Sequence, residues 1–179
     1  MTQAGSVYGE ALYSLCFEEN LTAEVLSQLQ ALQQGFEAEP DYLRLLATPS
    51  IPKEERCQIL DQGFRNKVHP YVLNFLKILT EKGYIRHFSH CCEAFLEHYH
   101  QDNGILPVTA VTAIPLTQIQ RARLQEKLES VTGKKIELIN RVDPAIMGGV
   151  RLDLDGKRLD DTIAHRLDAV RSLLRNTVL

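Results

Sequence analysis

The spacing of apolar residues changes at Asp102-Asn103-Gly104, and this change constrains the fold more than any other feature of the 179-residue chain. Before it, apolar residues recur every three or four positions, as on one face of an α-helix. The clearest stripe consists of Val25, Leu29, Leu32 and Phe36. After it, apolar and polar residues alternate, most cleanly over residues 150–154, as in a strand with one buried face. The pattern predicts a helical domain over residues 1–102 and a mixed domain over residues 103–179.

The segmentation of each part predicts the fold class. Residues 1–102 divide into six amphipathic segments, separated by breaks such as Thr48-Pro49-Ser50-Ile51-Pro52. Residues 103–179 are expected to form strand, helix, strand, strand and helix, with the first two strands parallel because a helix connects them. The last helix is predicted from an apolar stripe at Ile163, Leu167, Val170 and Leu174. The expected fold is mainly α: an N-terminal six-helix bundle followed by a small α/β (β-α-β-β-α) C-terminal domain.

Charge is distributed unevenly between the two parts. Residues 1–102 contain 8 Lys and Arg against 14 Asp and Glu, and residues 103–179 contain 12 against 9. A net charge of −6 on the helical part has the wrong sign for a nucleic-acid surface, so no nucleic acid is expected as a partner. No apolar run approaches the roughly 20 residues that span a bilayer, and the N-terminus lacks the basic start of a signal peptide. We therefore expect a cytoplasmic protein that reaches a membrane only through partners.

Few residue clusters offer chemistry. His87, His90 and Cys91 share one helix face at a spacing that metal ligands can adopt, but they flank an apolar stripe that favours packing. Gly148-Gly149 lacks the context of a phosphate-binding loop and is predicted to meet a backbone requirement where a strand begins. We therefore expect no catalytic residue, no metal site and no cofactor.

The fifth predicted helix, residues 70–81, is more apolar than a helix on the surface of a bundle needs to be. Its apolar positions cover about 220° of the circumference, whereas a surface helix needs a stripe only somewhat over about 100° wide. Two interpretations remain open at this point. Either this helix is central in the bundle, or part of its apolar arc lines a groove that binds a partner helix.

Two stretches resemble the delta subunit family of F-type ATP synthases, which includes the mitochondrial oligomycin-sensitivity-conferring protein. Residues 138–152 are similar to the C-terminal family signature, an acidic residue followed by an apolar residue and a glycine pair that enters a strand. The matching residues are Asp143, Ile146, Gly148, Gly149 and Val150. Near the N-terminus, Tyr8-Gly9-Glu10-Ala11-Leu12 resembles the family's Tyr-Ala-x-Ala-Leu, with Gly9 in place of the usual Ala.

The resemblance implies a non-catalytic stator subunit that links the catalytic alpha/beta head to the peripheral stalk, so that ion-driven rotation is coupled to ATP synthesis. In such a subunit, residues 1–102 would bind the N-terminal helix of an alpha subunit, and residues 103–179 would bind the b subunits. The complex would lie at the cytoplasmic face of a bacterial cell membrane. The groove for the alpha subunit helix would be formed by the first and fifth helices, with expected contact residues Tyr8, Ala11, Leu12, Leu15, Val72, Phe75, Leu76 and Ile78.

The main alternative is a helical RNA-binding or antitermination-type protein, which would also be built on an all-helical bundle. Such a protein requires a basic face, whereas the helical part is acidic. Salt-dependent binding to nucleic acid would distinguish the two hypotheses.

Overall fold

A computed structural model describes residues 3–146, 148–154 and 157–160. Within these ranges the chain divides into two compact units, one over residues 1–99 and one over residues 100–179. The order of elements is α1 Gln3–Glu18, α2 Thr22–Ala38, α3 Pro40–Leu46, α4 Lys53–Phe64, α5 Pro70–Glu81, α6 Phe88–Asp102, β1 Ile105–Thr112, α7 Gln118–Thr132, β2 Lys135–Val142, β3 Val150–Leu154 and β4 Lys157–Asp160. A short 3₁₀ turn, Ile85–His87, precedes α6. The expected fold class is confirmed.

The six helices of the first unit share one apolar core. The stripe on α2 is buried as the sequence predicts, and Leu29 belongs to the same buried cluster as Leu76 of α5 and Phe95 of α6. Phe36 closes one end of this core, with its ring edge-to-face against Phe88 at a centroid distance of 5.2 Å. Burial of these side chains is the main stabilising contribution to such a bundle.

The boundaries of α5 follow from its terminal residues. Pro70 occupies the first turn, where its missing N–H is not needed, and His69 Nδ1 accepts a hydrogen bond from the backbone N–H of Tyr71 at 3.3 Å. At the other end, Gly83 adopts a left-handed conformation with φ 77°, which stops the helix. The predicted bounds of this helix, residues 70–81, are confirmed.

The second unit contains a four-stranded sheet in the order β2-β1-β3-β4 among the described residues. Strands β1 and β2 are parallel, as predicted, and β3 pairs antiparallel with β1. Helix α7 begins with a capping box between Thr117 and Gln120 and ends at Gly133, and its apolar residues pack on the buried positions of β1 and β2.

The prediction of three strands was one too few. Strand β4 pairs antiparallel with β3, with Leu152 opposite Leu159. Three of its four residues are charged, so it shows no alternation of apolar and polar side chains. Asp160 is the final residue of this strand. The predicted last helix, with its apolar stripe at Ile163, Leu167, Val170 and Leu174, lies outside the described residues.

Candidate partner-binding surface

Helices α1 and α5 run antiparallel, and a contact made by the residue or turn just beyond a helix end links them at each end. At one end the rings of Tyr8 and Tyr84 lie 5.8 Å apart between centroids. At the other, the Tyr71 hydroxyl donates a hydrogen bond to Glu19 Oε1 at 2.6 Å. The carboxylate acceptor raises the pKa of Tyr71, because it favours the protonated phenol. The strip of surface between the two helices is therefore bounded by specific contacts.

Side chains along this strip follow from helical spacing. Leu15 lies two turns after Tyr8, on the side of α1 that reaches toward Tyr84. Ile78 lies two turns after Tyr71, on the side of α5 that reaches toward Glu19. Leu15 and Ile78 retain 42% and 44% of their surface exposed, which is unusual for large apolar residues that face a neighbouring helix.

The eight predicted contact residues separate into two groups. Val72 and Leu76 have no exposed surface, and Leu12 and Phe75 have almost none, so these four belong to the core of the bundle. Ala11, Leu15 and Ile78 are exposed, and Tyr8 is half-buried. Most of the apolar residues of α5 therefore pack into the core, as expected for a central helix of the bundle. Ile78 is the exposed one, as expected for a helix that also lines a binding surface.

The structure adds two exposed apolar residues that were not among the predicted contacts. Val7 is 59% exposed and lies one turn before Ala11, so it extends the stripe on α1. Tyr84 is also exposed, and it follows α5 directly. We call the surface formed by Val7, Tyr8, Ala11, Leu15, Ile78 and Tyr84 the α1–α5 face. Val7 could have been found from the sequence by its spacing, whereas Tyr84 lies beyond the helix and could not.

The charges on α1 are all negative. Glu10 and Glu18 on the helix and Glu19 directly after it are exposed, and the helix carries no Lys or Arg. The α1–α5 face is therefore an apolar strip beside carboxylates. Such a surface is complementary to an amphipathic helix that carries basic residues beside its apolar stripe.

The signature residues of the second unit build a turn. Asp143 N donates to Thr112 O at 2.9 Å, and Asp143 Oδ1 accepts from Ala145 N at 3.0 Å. Ile146 is buried, and Gly149 has φ 88°, which favours glycine. The turn carries the chain from the end of β2 past β1 to Val150, the first residue of β3. These contacts are all structural.

Of the histidine and cysteine cluster, Cys91 belongs to the packed core, whereas His87 and His90 are half-buried. Cys91 is buried on α6, and burial raises the pKa of its thiol to about 11, so the thiol stays protonated at neutral pH. Among the described residues, no group of three or more His, Cys, Asp or Glu side chains is arranged to hold a metal ion. In the same ranges, no helix is both long and apolar enough to cross a membrane.

The fold resembles that of a chain in the cryo-EM structure of the Toxoplasma gondii mitochondrial ATP synthase hexamer. The two superpose with a TM-score of 0.73, covering 97% of this chain and 98% of that chain at 18% identity. The two chains therefore share one fold, a helical unit followed by a small mixed sheet.

Sequence comparison defines the family. The family model described as "ATP synthase delta (OSCP) subunit" matches residues 5–174. The ATP synthase subunit delta of Alkaliphilus oremlandii is 33% identical over 167 residues, covering 93% of each chain. That of Prochlorococcus marinus strain AS9601 is 29% identical over 161 residues, covering 89% of each. The chain belongs to the ATP synthase delta (OSCP) subunit family.

Membership of this family confirms the stator function and its non-catalytic character. The protein contributes to ATP synthesis as a structural subunit of the F-type complex. The alternative of an RNA-binding or antitermination-type protein is thereby set aside.

Proposed function

We propose that the α1–α5 face binds an amphipathic N-terminal helix of an alpha subunit, and that the C-terminal part binds the b subunits of the peripheral stalk. Through these two contacts the protein would hold the catalytic head still while the rotor turns, at the cytoplasmic face of the bacterial membrane. The observation that carries the first contact is the exposure of Leu15 and Ile78 along a strip that Tyr8–Tyr84 and Tyr71–Glu19 bound at its two ends.

Burial and charge support a helix as the occupant. Val7, Ala11 and Leu15, three exposed apolar residues of α1, lie one turn apart, which matches the spacing of apolar residues on a docked helix. Ala11 lies between Val7 and Leu15, and its small side chain allows a partner backbone to approach closely. The acidic residues beside the strip favour basic residues on the partner and would accelerate association at low salt.

The groove is tested by titrating a peptide of the alpha subunit N-terminus into the full chain and its Ala11→Asp variant. The carboxylate would be buried without a partner at the centre of the interface, so we expect affinity to fall at least about 100-fold. Ala122→Asp is the matched control, because Ala122 is an exposed mid-helix residue of α7 in the other unit. Equal peptide affinity in wild type and Ala11→Asp, with both folded, would refute the assignment.

Substitutions at exposed and at buried positions distinguish a loss of peptide binding from a loss of stability. Leu15→Ala and Ile78→Ala remove exposed apolar contacts, so each should weaken peptide binding about tenfold with little change in stability. Leu76→Ala should instead reduce the free energy of unfolding by about 2–5 kcal/mol, since Leu76 is fully buried. A peptide affinity insensitive to both exposed positions would place the contact elsewhere.

The division between partners is tested with residues 1–102 alone. The six helices share a continuous core, so this fragment is expected to fold. It should bind the alpha subunit peptide nearly as well as the full chain does and bind soluble b subunit weakly. The reverse pattern would overturn the proposed division.

A further inference from the structure

A concave site separate from the α1–α5 face lies where the loop after α3 and the start of α4 meet the end of α5. It is a pocket of about 410 Å³ whose polar lining includes Lys53, Arg56, Lys82, Arg86 and Glu81. Residues 1–99 contain eight Lys and Arg in total, and half of them line this pocket. An acidic unit therefore concentrates positive charge at one place. We call this site the Arg56 pocket.

The Lys and Arg side chains of the pocket differ from most of the other Lys and Arg side chains of this unit in that they form no ion pair with a carboxylate of the described residues. Outside it, Arg44 pairs with Asp41 at 2.8 Å, and Lys77 and Arg65 pair with Asp61 at 2.7 and 4.0 Å. Among the described residues, none of the four pocket cations has a carboxylate oxygen within 4.0 Å. Unpaired like charges around one recess repel one another, and a bound anion would relieve that repulsion.

Arg56 provides a buried donor. Only 6% of its surface is exposed, and one guanidinium nitrogen, Nη1, donates to the carbonyl oxygen of Leu46 at 2.8 Å. Its Nε is fully buried and has no hydrogen-bond partner among the described residues. A buried guanidinium without a counter-ion is costly, and such groups are commonly paired with an anion.

The first turn of α4 contributes Lys53 and Arg56 to the pocket lining, whereas the two carboxylates of the same turn, Glu54 and Glu55, are not among the lining residues. Lys53 is the first residue of α4, and the preceding Pro52 supplies no side-chain cap for the N–H groups of the first turn. Free N–H groups at a helix N-terminus and the helix dipole both favour an anion there. Among the residues that the structure describes, Glu81 is the one carboxylate lining the pocket, so the net charge of this lining is positive.

We propose that the Arg56 pocket binds a phosphate group, as inorganic phosphate or pyrophosphate or at the end of a phosphate ester. Guanidinium and ammonium groups together with helix N–H groups form the donor set that recognises phosphate, which offers several oxygens and carries about −1.5 to −2 charges at neutral pH. A single protein carboxylate offers fewer acceptors and less charge. This inference is independent of how the subunit contacts its partners.

The test is calorimetric titration of the full chain with inorganic phosphate and with pyrophosphate, at constant ionic strength set with sodium chloride. We expect saturable binding with one site per chain, tighter for pyrophosphate. Lys82→Gln and Arg86→Gln should each weaken binding about tenfold, the effect of losing one charge-assisted hydrogen bond. Both residues are exposed, so these variants should fold, as circular dichroism would verify.

Lys67→Gln is the matched control, because Lys67 is an exposed lysine that lies outside the pocket and forms no ion pair within the described ranges. It should leave phosphate binding unchanged. Absence of saturable binding, or equal weakening by all three variants, would overturn the proposal. So would variants at Lys82 and Arg86 that bind phosphate normally but weaken association with the ATP synthase head in phosphate-free buffer, since the cations would then serve a carboxylate of a neighbouring subunit.

Discussion

Helix α1 lies close to α6 at Gly9, and replacing this residue by Ala tests the packing of the bundle. A Cβ atom at position 9 would lie 2.4 Å from the carbonyl oxygen of Cys91 and 2.8 Å from Cβ of Ala94. Ordinary contacts of this kind are 3.4 Å or longer, so the helices would have to separate by about 1 Å locally. Because the nearest obstacle is backbone, a change of rotamer cannot relieve the clash.

Two opposing effects set the magnitude for Gly9→Ala. Alanine in a helix interior is favoured over glycine by about 1 kcal/mol. Overpacking a well-packed interface costs about 1–3 kcal/mol, and a clash against backbone lies at the upper end of this range. We therefore expect a net loss of about 1–2 kcal/mol in the free energy of unfolding.

Gly35→Ala is the matched control for this prediction. Gly35 also lies inside a helix, α2, but a Cβ there would meet no atom within 4 Å. The same substitution should therefore raise stability by up to about 1 kcal/mol. The assay is urea denaturation of the full chain, followed by far-ultraviolet circular dichroism. If Gly9→Ala stabilises the protein as much as Gly35→Ala, the close contact between α1 and α6 does not exist in solution.

Two further predictions concern the second unit. Gly149→Val should lower its stability by about 1–3 kcal/mol, because a β-branched residue is strained at φ 88°, and an unchanged denaturation midpoint would contradict this. Thr117→Ala removes the hydroxyl that accepts from Gln120 N at 3.3 Å and should destabilise α7 by about 1 kcal/mol, measured as faster hydrogen exchange in its first turn. Thr117→Ser keeps the capping oxygen and should exchange like the wild type, and equal acceleration in both variants would exclude the cap as the cause.

The sequence predicted local structure well wherever the deciding signal was itself local. Pro70 and Gly83 mark the ends of α5 within a few residues of the chain, so its bounds could be predicted. The position of α1 decides which apolar residues of α5 are buried and which are exposed. That position cannot be predicted from the sequence of α5 alone. Leu76 and Ile78 have similar hydrophobicity, yet one is buried and the other exposed.

Features assembled from distant segments were not predictable from sequence. The Arg56 pocket combines residues from α4, the end of α5 and the turn that follows it, and their charges converge only in the folded unit. Strand β4 likewise lacks an alternation of apolar and polar residues, and it forms by pairing with the edge of β3. Gly9 appeared as a minor departure from the family pattern, whereas the structure shows a reason for it in the nearness of Cys91.

The side chain of Asn140 joins the segment that leads into α7 to the sheet. The loss of its three hydrogen bonds is expected to have a measurable effect on stability. Its Nδ2 donates to Ala110 O at 2.9 Å and to Thr112 Oγ1 at 3.0 Å, and its Oδ1 accepts from Leu116 N at 2.8 Å. Asn140→Asp preserves the shape and the accepted bond but replaces the donor nitrogen with an oxygen that faces the Ala110 carbonyl and the Thr112 hydroxyl oxygen. We expect a loss of about 2–4 kcal/mol, since each bond contributes about 1 kcal/mol and the unpaired acceptors add a desolvation penalty.

Hydrogen exchange measured on peptides of β1 and β2 is the readout for Asn140→Asp, because a loss of stability in this unit accelerates exchange in the strands that Asn140 joins. Gln118→Glu is the control, since it makes the same amide-to-carboxylate change at an exposed position in the first turn of α7, where a negative charge is favourable. Exchange in β1 and β2 should be faster in Asn140→Asp and unchanged in Gln118→Glu. Unchanged exchange in both variants would mean that the side chain of Asn140 does not hold these elements together, and that packing of Leu124 and Leu128 on the sheet is sufficient.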